Sequence, residues 1–256
     1  MNGLQTGGAV PQRRIREKLD AYLSRRDYAA AGRHLAYWLE EARLLNDPRG
    51  ELMMSNELIG HCRKTGDRDG AFRHIEAALA LVDRLELGDA GTGGPGCLNA
   101  ATAMNAFGDN DRALRLFERA RTALEAAPLA DPALLAGLYN NMGLACAALK
   151  RWDDAMDLYD RALARLSGVE NGQPEAAVTC LNMANCIEAQ VGMEAGEGRI
   201  FALMDRAAAL LDTPGIPHDG HYAFVCEKCA PTFEYYGWFA DARRFQEEAE
   251  RIYAGA

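Results

Sequence analysis

The sequence lacks a long hydrophobic run, an excess of basic charge and a regular cysteine framework. No apolar stretch approaches the roughly 18 residues that span a bilayer, and no apolar segment precedes the first charges, so we expect a soluble, cytoplasmic protein without a membrane partner. The 28 Lys+Arg and 37 Asp+Glu give a formal charge of -9, which repels phosphate backbones and disfavours a nucleic-acid partner. The seven cysteines are scattered and odd in number, as expected of free thiols.

Signals for catalysis are also scarce. His34, His61 and His74 have no carboxylate, serine or cysteine partner at a recognisable spacing, which disfavours a general base. The Gly-rich stretch at 87–96 has neither the preceding strand nor the following Lys-Ser/Thr pair of a phosphate-binding loop. We therefore expect no enzyme and no cofactor.

What the sequence does contain is a repeated pattern of two amphipathic helices. From Asn140, apolar residues recur at helical spacing, a polar turn KRWDD follows, and a second apolar face continues to Leu166. The pattern recurs from Leu98 and from Asn56, with fainter copies on either side. Equivalent positions, 40 to 45 residues apart, are Trp38, Ala78, Ala120, Ala162, Ala207 and Ala249. A near-constant period is typical of a solenoid whose hairpins pack against their neighbours.

These residues resemble the tetratricopeptide repeat (TPR) family. Gly143, Ala155, Tyr159 and Ala162 match its pattern of a small residue in the first helix, then alanine, an aromatic residue and alanine in the second. The resemblance covers about residues 15–253 and implies an all-α, right-handed α-solenoid of about six helix-turn-helix repeats. The period of about 42 exceeds the family's usual 34 residues. The fifth repeat departs most, because GMEAGEGR is expected to lengthen its turn.

The repeats define the predicted organisation of the chain. We predict a flexible N-terminal tail over residues 1–11 and a single TPR-like superhelical domain over residues 12–256. The six repeats are placed at 12–47, 50–88, 95–128, 132–168, 173–213 and 219–254. The Gly-rich stretch is expected to form a flexible turn between the second and third repeats.

A Cys-x-x-Cys motif at Cys226 and Cys229 follows His218 and His221, and all four are residue types that bind zinc. The spacing between the His and Cys pairs is much shorter than in zinc fingers, and a helical Cys-x-x-Cys lacks the strand-to-helix setting of a redox motif. Buried cysteine is a common small core residue. We interpret the pair as core packing and expect no metal, with metal binding and redox sensing as alternatives.

Aromatic residues crowd around Pro231 in the predicted helix that carries the two cysteines. They are Phe224, Phe233, Tyr235, Tyr236, Trp238 and Phe239. Pro231 is expected to kink the helix because it removes a backbone hydrogen bond. We favour a C-terminal core plug over an exposed aromatic patch that binds a partner.

Asparagines on the first helices are the best candidates for a binding surface. Asn99, Asn141 and Asn182 share one repeat position, at spacings of 42 and 41 residues, and Asn56 lies one place earlier in its repeat. The resemblance implies that first helices line a concave groove and that asparagine at this place contacts the ligand backbone in some members. An amide both donates and accepts, so this asparagine ladder suits an extended peptide. The predicted peptide-binding residues are Asn56, Asn99, Asn105, Asn141, Asn182 and Asn185.

The predicted function is a non-catalytic protein-interaction scaffold that binds a peptide or partner-protein segment in the groove. One alternative for the asparagines is purely structural, in which they join neighbouring helices by hydrogen bonds. Alternatives for the whole protein are a metal-binding or redox-sensing protein that uses the His and Cys cluster, and a peptide-responsive regulatory sensor that acts through a separate partner. Self-association into a homo-oligomer is a further alternative.

Overall fold

The computed structural model consists of helices joined by short turns. It describes residues 8–87, 93–126 and 131–255, where every regular element is an α-helix, so the all-α prediction is confirmed there. The helices are α1 (Gln12–Leu23), α2 (Tyr28–Leu44), α3 (Pro48–Thr65), α4 (Arg68–Arg84), α5 (Gly93–Ala106), α6 (Asn110–Ala126), α7 (Pro132–Ala148), α8 (Trp152–Leu166), α9 (Gln173–Val191), α10 (Met193–Leu211), α11 (Gly220–Tyr235) and α12 (Phe239–Gly255). In that part of the chain, no helix combines the length and the apolar character needed to cross a bilayer.

The helices group into two compact units, Met1–Pro128 and Leu129–Ala256. Each unit holds three helix pairs, in which an odd-numbered first helix packs against the even-numbered second helix that follows it. First helices of neighbouring pairs also touch: α3 contacts α5 in the first unit, and α9 contacts both α7 and α11 in the second. Each unit therefore has a first-helix face, formed by its odd-numbered helices. The single domain over residues 12–256 stays a prediction.

Aspartates start many of the helices. The side chains of Asp27, Asp47, Asp67, Asp131 and Asp219 each accept a hydrogen bond from a backbone N–H in the first turn of the helix that follows. A free N–H at a helix start needs such a partner, and aspartate supplies it well. These caps define the first residues of two second helices, α2 and α4, and of three first helices, α3, α7 and α11.

Asp47 has a second role, because it also holds the segment before α1. Its Oδ1 accepts the Gly50 N–H at 2.9 Å, and its Oδ2 accepts the Val10 N–H at 3.0 Å. The Val10 side chain is buried in a core cluster with residues of α1, α2 and α3. Of the predicted flexible tail, residues 1–7 lie outside the described residues, whereas Val10 is packed in this way.

We expect Asp47→Ala to lower the free energy of unfolding by about 2 kcal/mol, because the change removes a helix cap and a second hydrogen bond. Asp27→Ala is the matched control. Among the described residues the Asp27 side chain accepts only the Ala30 N–H, so its loss should cost about 1 kcal/mol. Urea denaturation of both variants measures the difference, and equal losses would show that the bond to Val10 contributes nothing.

The fifth repeat differs from its prediction. The sequence GMEAGEGR was expected to lengthen the turn, but Gly192 alone separates α9 from α10, and the rest of the segment begins α10. Gly192 has a φ of +83°, which glycine adopts without the steric penalty that other residues meet. The prediction was wrong because most of GMEAGEGR is compatible with a helix, so the extra residues lengthen α9 and α10 to 19 residues each. In the predicted Gly-rich turn, residues 88–92 lie outside the described residues, and α5 begins at Gly93.

Candidate functional site

The first-helix faces hold all six predicted peptide-binding asparagines. Asn56 lies on α3, Asn99 and Asn105 on α5, Asn141 on α7, and Asn182 and Asn185 on α9. Asn185 is exposed, and the other five are half-buried. Amides at such positions remain within reach of a ligand while their neighbours restrict their orientation. Their role in peptide binding stays a prediction.

Two of these asparagines, one in each unit, donate a hydrogen bond to an asparagine of the preceding repeat, one to its backbone and the other to its side chain. The Asn99 Nδ2 donates to the backbone carbonyl of Asn56 at 2.7 Å, and the Asn182 Nδ2 donates to Asn140 Oδ1 at 3.0 Å. Asn56 and Asn140 each lie one place before the ladder position of the preceding repeat. The ladder amide thus joins adjacent first helices and still has its Oδ1 and its second N–H for another partner.

A pocket of about 530 Å³ lies beside the first of these contacts, between α1, α3 and α5. Asn56 and Asn99 line it together with apolar Leu52 and Leu87. Asn56 Oδ1 is buried and has no hydrogen-bond partner in the described residues, so a ligand N–H would satisfy it. Arg49, at the pocket's edge, has no ion-pair partner in the same part of the chain.

Charged groups also border this pocket. Arg16 Nε lies 3.9 Å from Glu57 Oε1, at the limit of an ion pair, and both residues line the pocket. Burial raises the pKa of the Glu57 carboxyl above its ordinary value, although Arg16 opposes this in part. The pocket therefore combines apolar walls, two amides and charges of both signs, which suits a peptide better than an aliphatic ligand.

The second unit has a smaller pocket of about 200 Å³ on its own first-helix face. Its apolar lining includes Val178, Val225 and Phe224, whose side chain is 51% exposed. Lys228 lies one turn after Phe224 on α11 and has no ion-pair partner among the residues that the structure describes. Asn140, which accepts the hydrogen bond from Asn182, also lines this pocket. As in the first unit, a contact between two asparagines therefore lies beside a pocket.

Two tyrosines and a glutamate lie further along the same face, near the C-terminal ends of α9 and α11. Tyr235 OH donates to Glu188 Oε1 at 2.7 Å, and Tyr236 OH donates to Glu188 Oε2 at 2.8 Å. Tyr236 OH also lies 3.0 Å from Asn185 Oδ1. A phenol has one proton, and the charged carboxylate is the stronger acceptor. The Glu188 carboxylate is thus held in place by two phenols.

The aromatic residues around Pro231 divide between core and surface. Phe233 and Tyr236 are buried, in agreement with the core plug, whereas Phe224, Tyr235 and Phe239 are 51%, 68% and 65% exposed. Phe224 and Tyr235 are eleven residues apart, close to three helical turns, so they share one side of α11. The expected plug therefore accounts for only part of the cluster.

The four residues of the sequence's His and Cys motif are not brought together. His218 Nδ1 lies 2.8 Å from Glu248 Oε1, and His221 contacts Glu175, so both histidines are exposed and paired with carboxylates. Cys226 and Cys229 instead lie in the core of the second unit. Within the described ranges, no group of three or more His, Cys, Asp or Glu has a geometry suited to a metal ion. The arrangement favours the core-packing interpretation.

Burial of the two thiols predicts a loss of stability at high pH. It raises the pKa of Cys226 from 9.0 to about 11 and that of Cys229 to about 12. The unfolded chain loses these protons first, so the contribution to stability is complete below pH 9 and falls as the pH rises from 9 to 12. Urea denaturation across this range should give a smaller decline for Cys229→Ala than for the wild type. An identical pH dependence would contradict the assignment.

Sequence reasoning missed Glu188 and the exposure of Tyr235. A single carboxylate on a helix usually faces solvent without a specific partner, so Glu188 gave no signal on its own. The sequence did contain one sign that one side of α11 differs from the other. Residues at intervals of four, three and four positions share that side, namely Phe224, Lys228, Pro231 and Tyr235.

Comparison with known proteins identifies the architecture. No protein-family model matches the chain, and no curated protein matches it in sequence. Among solved structures, BtubC (BKLC) from P. vanneervenii is similar over 91% of each chain, with 19% identity and a TM-score of 0.57. A putative kinesin light chain with TPR-like repeats from Podosopora anserina matches 80% of this chain and 96% of its own, with 14% identity and a TM-score of 0.55.

A third similar structure is a Rap protein complexed with Competence and Sporulation Factor. The match covers 92% of this chain and 72% of the Rap chain, with 12% identity and a TM-score of 0.54. At such low identities the similarity concerns the fold. It agrees with the twelve helices in the described residues and with the sequence pattern around Tyr159. The chain therefore has the TPR-type fold, an all-α solenoid of helical repeats.

Proposed function

We propose that the chain is a non-catalytic interaction module that binds an extended segment of a partner protein on its first-helix faces. The main observation behind the proposal is that, in each unit, a hydrogen bond between asparagines of adjacent repeats lies beside a pocket. Asn99 contacts Asn56 beside the larger pocket, and Asn182 contacts Asn140 beside the smaller one. Both contacts leave amide groups unused at the surface where a ligand backbone would lie.

Peptide binding would use the hydrogen-bonding groups of each amide that are not used within the protein. An extended peptide presents N–H and C=O groups in alternation along its backbone. The unused Oδ1 and N–H of Asn99 or Asn182 pair with such groups whatever the ligand's side chains are. The pockets then receive individual side chains, which gives selectivity through Leu52 and Leu87 in one unit and Phe224 in the other.

The similar structures support this proposal at the level of the fold. One of them is a Rap protein complexed with Competence and Sporulation Factor, so the fold is compatible with a bound factor. A peptide-responsive regulatory sensor that acts through a separate partner would use the same surface. A non-catalytic role is part of the proposal, and it is supported by the TPR-like repeats of the similar structures.

Selection of short random peptides on the immobilised protein tests the proposal. We expect selected peptides to lose about five- to tenfold in affinity with Asn99→Ala or Asn182→Ala, because each change removes one or two hydrogen bonds to the ligand. Thr122→Ala is the control, since Thr122 is exposed on the second helix α6 and its hydroxyl donates to the Glu118 carbonyl of the same helix. Fluorescence anisotropy with labelled peptides measures the affinities.

The same variants also separate a ligand role from a structural one. Each asparagine change should lower the free energy of unfolding by about 1 kcal/mol, because an inter-repeat hydrogen bond is lost. A loss of stability with unchanged peptide affinity in both variants would assign the ladder to structure alone. Failure of the wild type to select any peptide would overturn the proposed function.

A further inference from the structure

The Glu188 carboxylate is a fixed negative charge on the first-helix face of the second unit. Tyr235 and Tyr236 each donate a hydrogen bond to one of its two oxygens. The Tyr236 ring is buried, so its phenol is held by the core rather than by solvent. Each carboxylate oxygen keeps a further acceptor site after these bonds. The group is therefore oriented in advance and still able to bind.

No cation in the described part of the chain pairs with this carboxylate. Glu188 has no Lys, Arg or His ion-pair partner in the described ranges, whereas Glu175 on the same helix is paired with His221. The pKa values of both phenols are raised, with the Glu188 hydrogen bond the first cause for Tyr235 and the second, after burial, for Tyr236. Residues 129–256 contain 10 Lys+Arg and 19 Asp+Glu of the totals of 28 and 37, so this half carries the whole formal charge of -9.

An aromatic ring beside the carboxylate adds a second kind of attraction for a cation. The Tyr235 ring is 68% exposed and meets the Tyr236 ring edge to face, with centroids 5.0 Å apart. A cation within about 6 Å of the centre of an exposed tyrosine ring is attracted to the negative face of that ring. A guanidinium group matches both features, since it forms paired hydrogen bonds to a carboxylate and stacks on aromatic rings.

We propose that Glu188 and Tyr235 form a binding site for a basic side chain, preferably arginine, of the partner segment. The inference rests on the proposed function, because it names the chemistry of one position in the segment that the second unit binds. Glu188 supplies the charge and the paired acceptors, and Tyr235 supplies the ring. Asn182, Asn185 and Glu188 follow one another at intervals of three residues on α9, and Asn182 contacts Asn140, which lines the smaller pocket.

The spacing along α11 fixes where the basic residue lies in the ligand. Phe224, in the smaller pocket, and Tyr235 are eleven residues apart, which corresponds to about 16 Å along a helix. An extended peptide covers this distance in about five residues. The expected ligand therefore has an apolar side chain at the Phe224 pocket and an arginine or lysine about five positions away.

The first test compares peptides selected by the wild type and by Glu188→Gln. We expect wild-type selections to be enriched in a basic residue about five positions from an apolar one, and this enrichment to disappear in the variant. Affinity for an arginine-containing peptide should fall about tenfold. Glu197→Gln is the matched control, because it removes the same charge from an exposed position on α10, outside the first-helix face. Enrichment that persists in Glu188→Gln would overturn the inference.

The second test does not depend on peptide binding. N-acetyl-arginine methylamide is titrated into the whole chain, and its citrulline counterpart serves as the neutral probe, while NMR follows the ring signals of Tyr235 and of neighbouring Tyr236. We expect concentration-dependent shifts with the arginine probe only, and their loss in Glu188→Gln. In Tyr235→Leu, which lacks the Tyr235 ring, the ring signals of Tyr236 should likewise not shift. Equal shifts from both probes, or none from either, would overturn the cation site even if peptides bind elsewhere. Shifts from arginine alone would support the site even if no peptide is selected.

Discussion

Tyr159→Ala should lower the free energy of unfolding by about 3–5 kcal/mol, because truncation of a buried aromatic ring leaves a cavity that its neighbours only partly fill. The Tyr159 ring is fully buried between α8 and α7. A Cβ at Gly143 would lie 2.5 Å from Tyr159 Cε1, so the ring lies directly against the α7 backbone. Urea denaturation followed by circular dichroism measures the loss.

The hydroxyl of Tyr159 provides the control. It is buried and has no hydrogen-bond partner in the residues that the structure describes. Removal of an unpaired buried polar group is neutral or favourable, so Tyr159→Phe should keep the wild-type stability or gain up to about 1 kcal/mol. A loss of stability in Tyr159→Phe would show that the hydroxyl has a partner, and a small loss in Tyr159→Ala would show that the ring does not fill this crossing.

Phe233→Ala is the second change for which we expect a large effect, again about 3–5 kcal/mol. Phe233 is fully buried on α11, and its ring lies 5.2 Å from that of Phe245 on α12. Because α11 also carries Phe224 and Tyr235, loosening of its packing should weaken peptide binding by the second unit as well. Thermal denaturation and peptide affinity are the two measurements.

Phe239→Ala is the matched control for that change. It removes the same side chain six residues later, where 65% of it is exposed, so we expect a change within about 0.5 kcal/mol and unaltered peptide affinity. Similar losses from Phe233→Ala and Phe239→Ala would contradict the assignment of one ring to the core and the other to the surface.

Much of the fold could be predicted because its signals are local and repeated. The apolar periodicity around Tyr159 and the short polar turns indicated the helical hairpins and their period. The turn of the fifth repeat could not be predicted, because GMEAGEGR is compatible with either a loop or a helix start and the choice depends on how α9 and α10 pack. On α11 apolar residues occur on more than one side of the helix, so periodicity alone could not separate buried Phe233 from exposed Tyr235.

For the candidate site, the sequence predicted the type of residue but not the contacts that these residues make. The repeat period brought Asn99 and Asn182 to equivalent positions, but their contacts with Asn56 and Asn140 depend on the sideways offset between adjacent repeats. That offset results from packing of the whole pair and has no local sequence signal. Glu188 was missed for a similar reason, since its two phenol donors are 47 and 48 residues away in sequence.

The burial of every cysteine has a practical consequence for spectroscopy. All seven cysteines are buried and outside disulfide bonds, so a maleimide dye would find no accessible native thiol on the folded protein. A cysteine introduced by Gln190→Cys, at an exposed position two residues after Glu188, would then take the label selectively. A fluorophore there would report ligand arrival at the end of α9 in real time, without prior removal of the native cysteines.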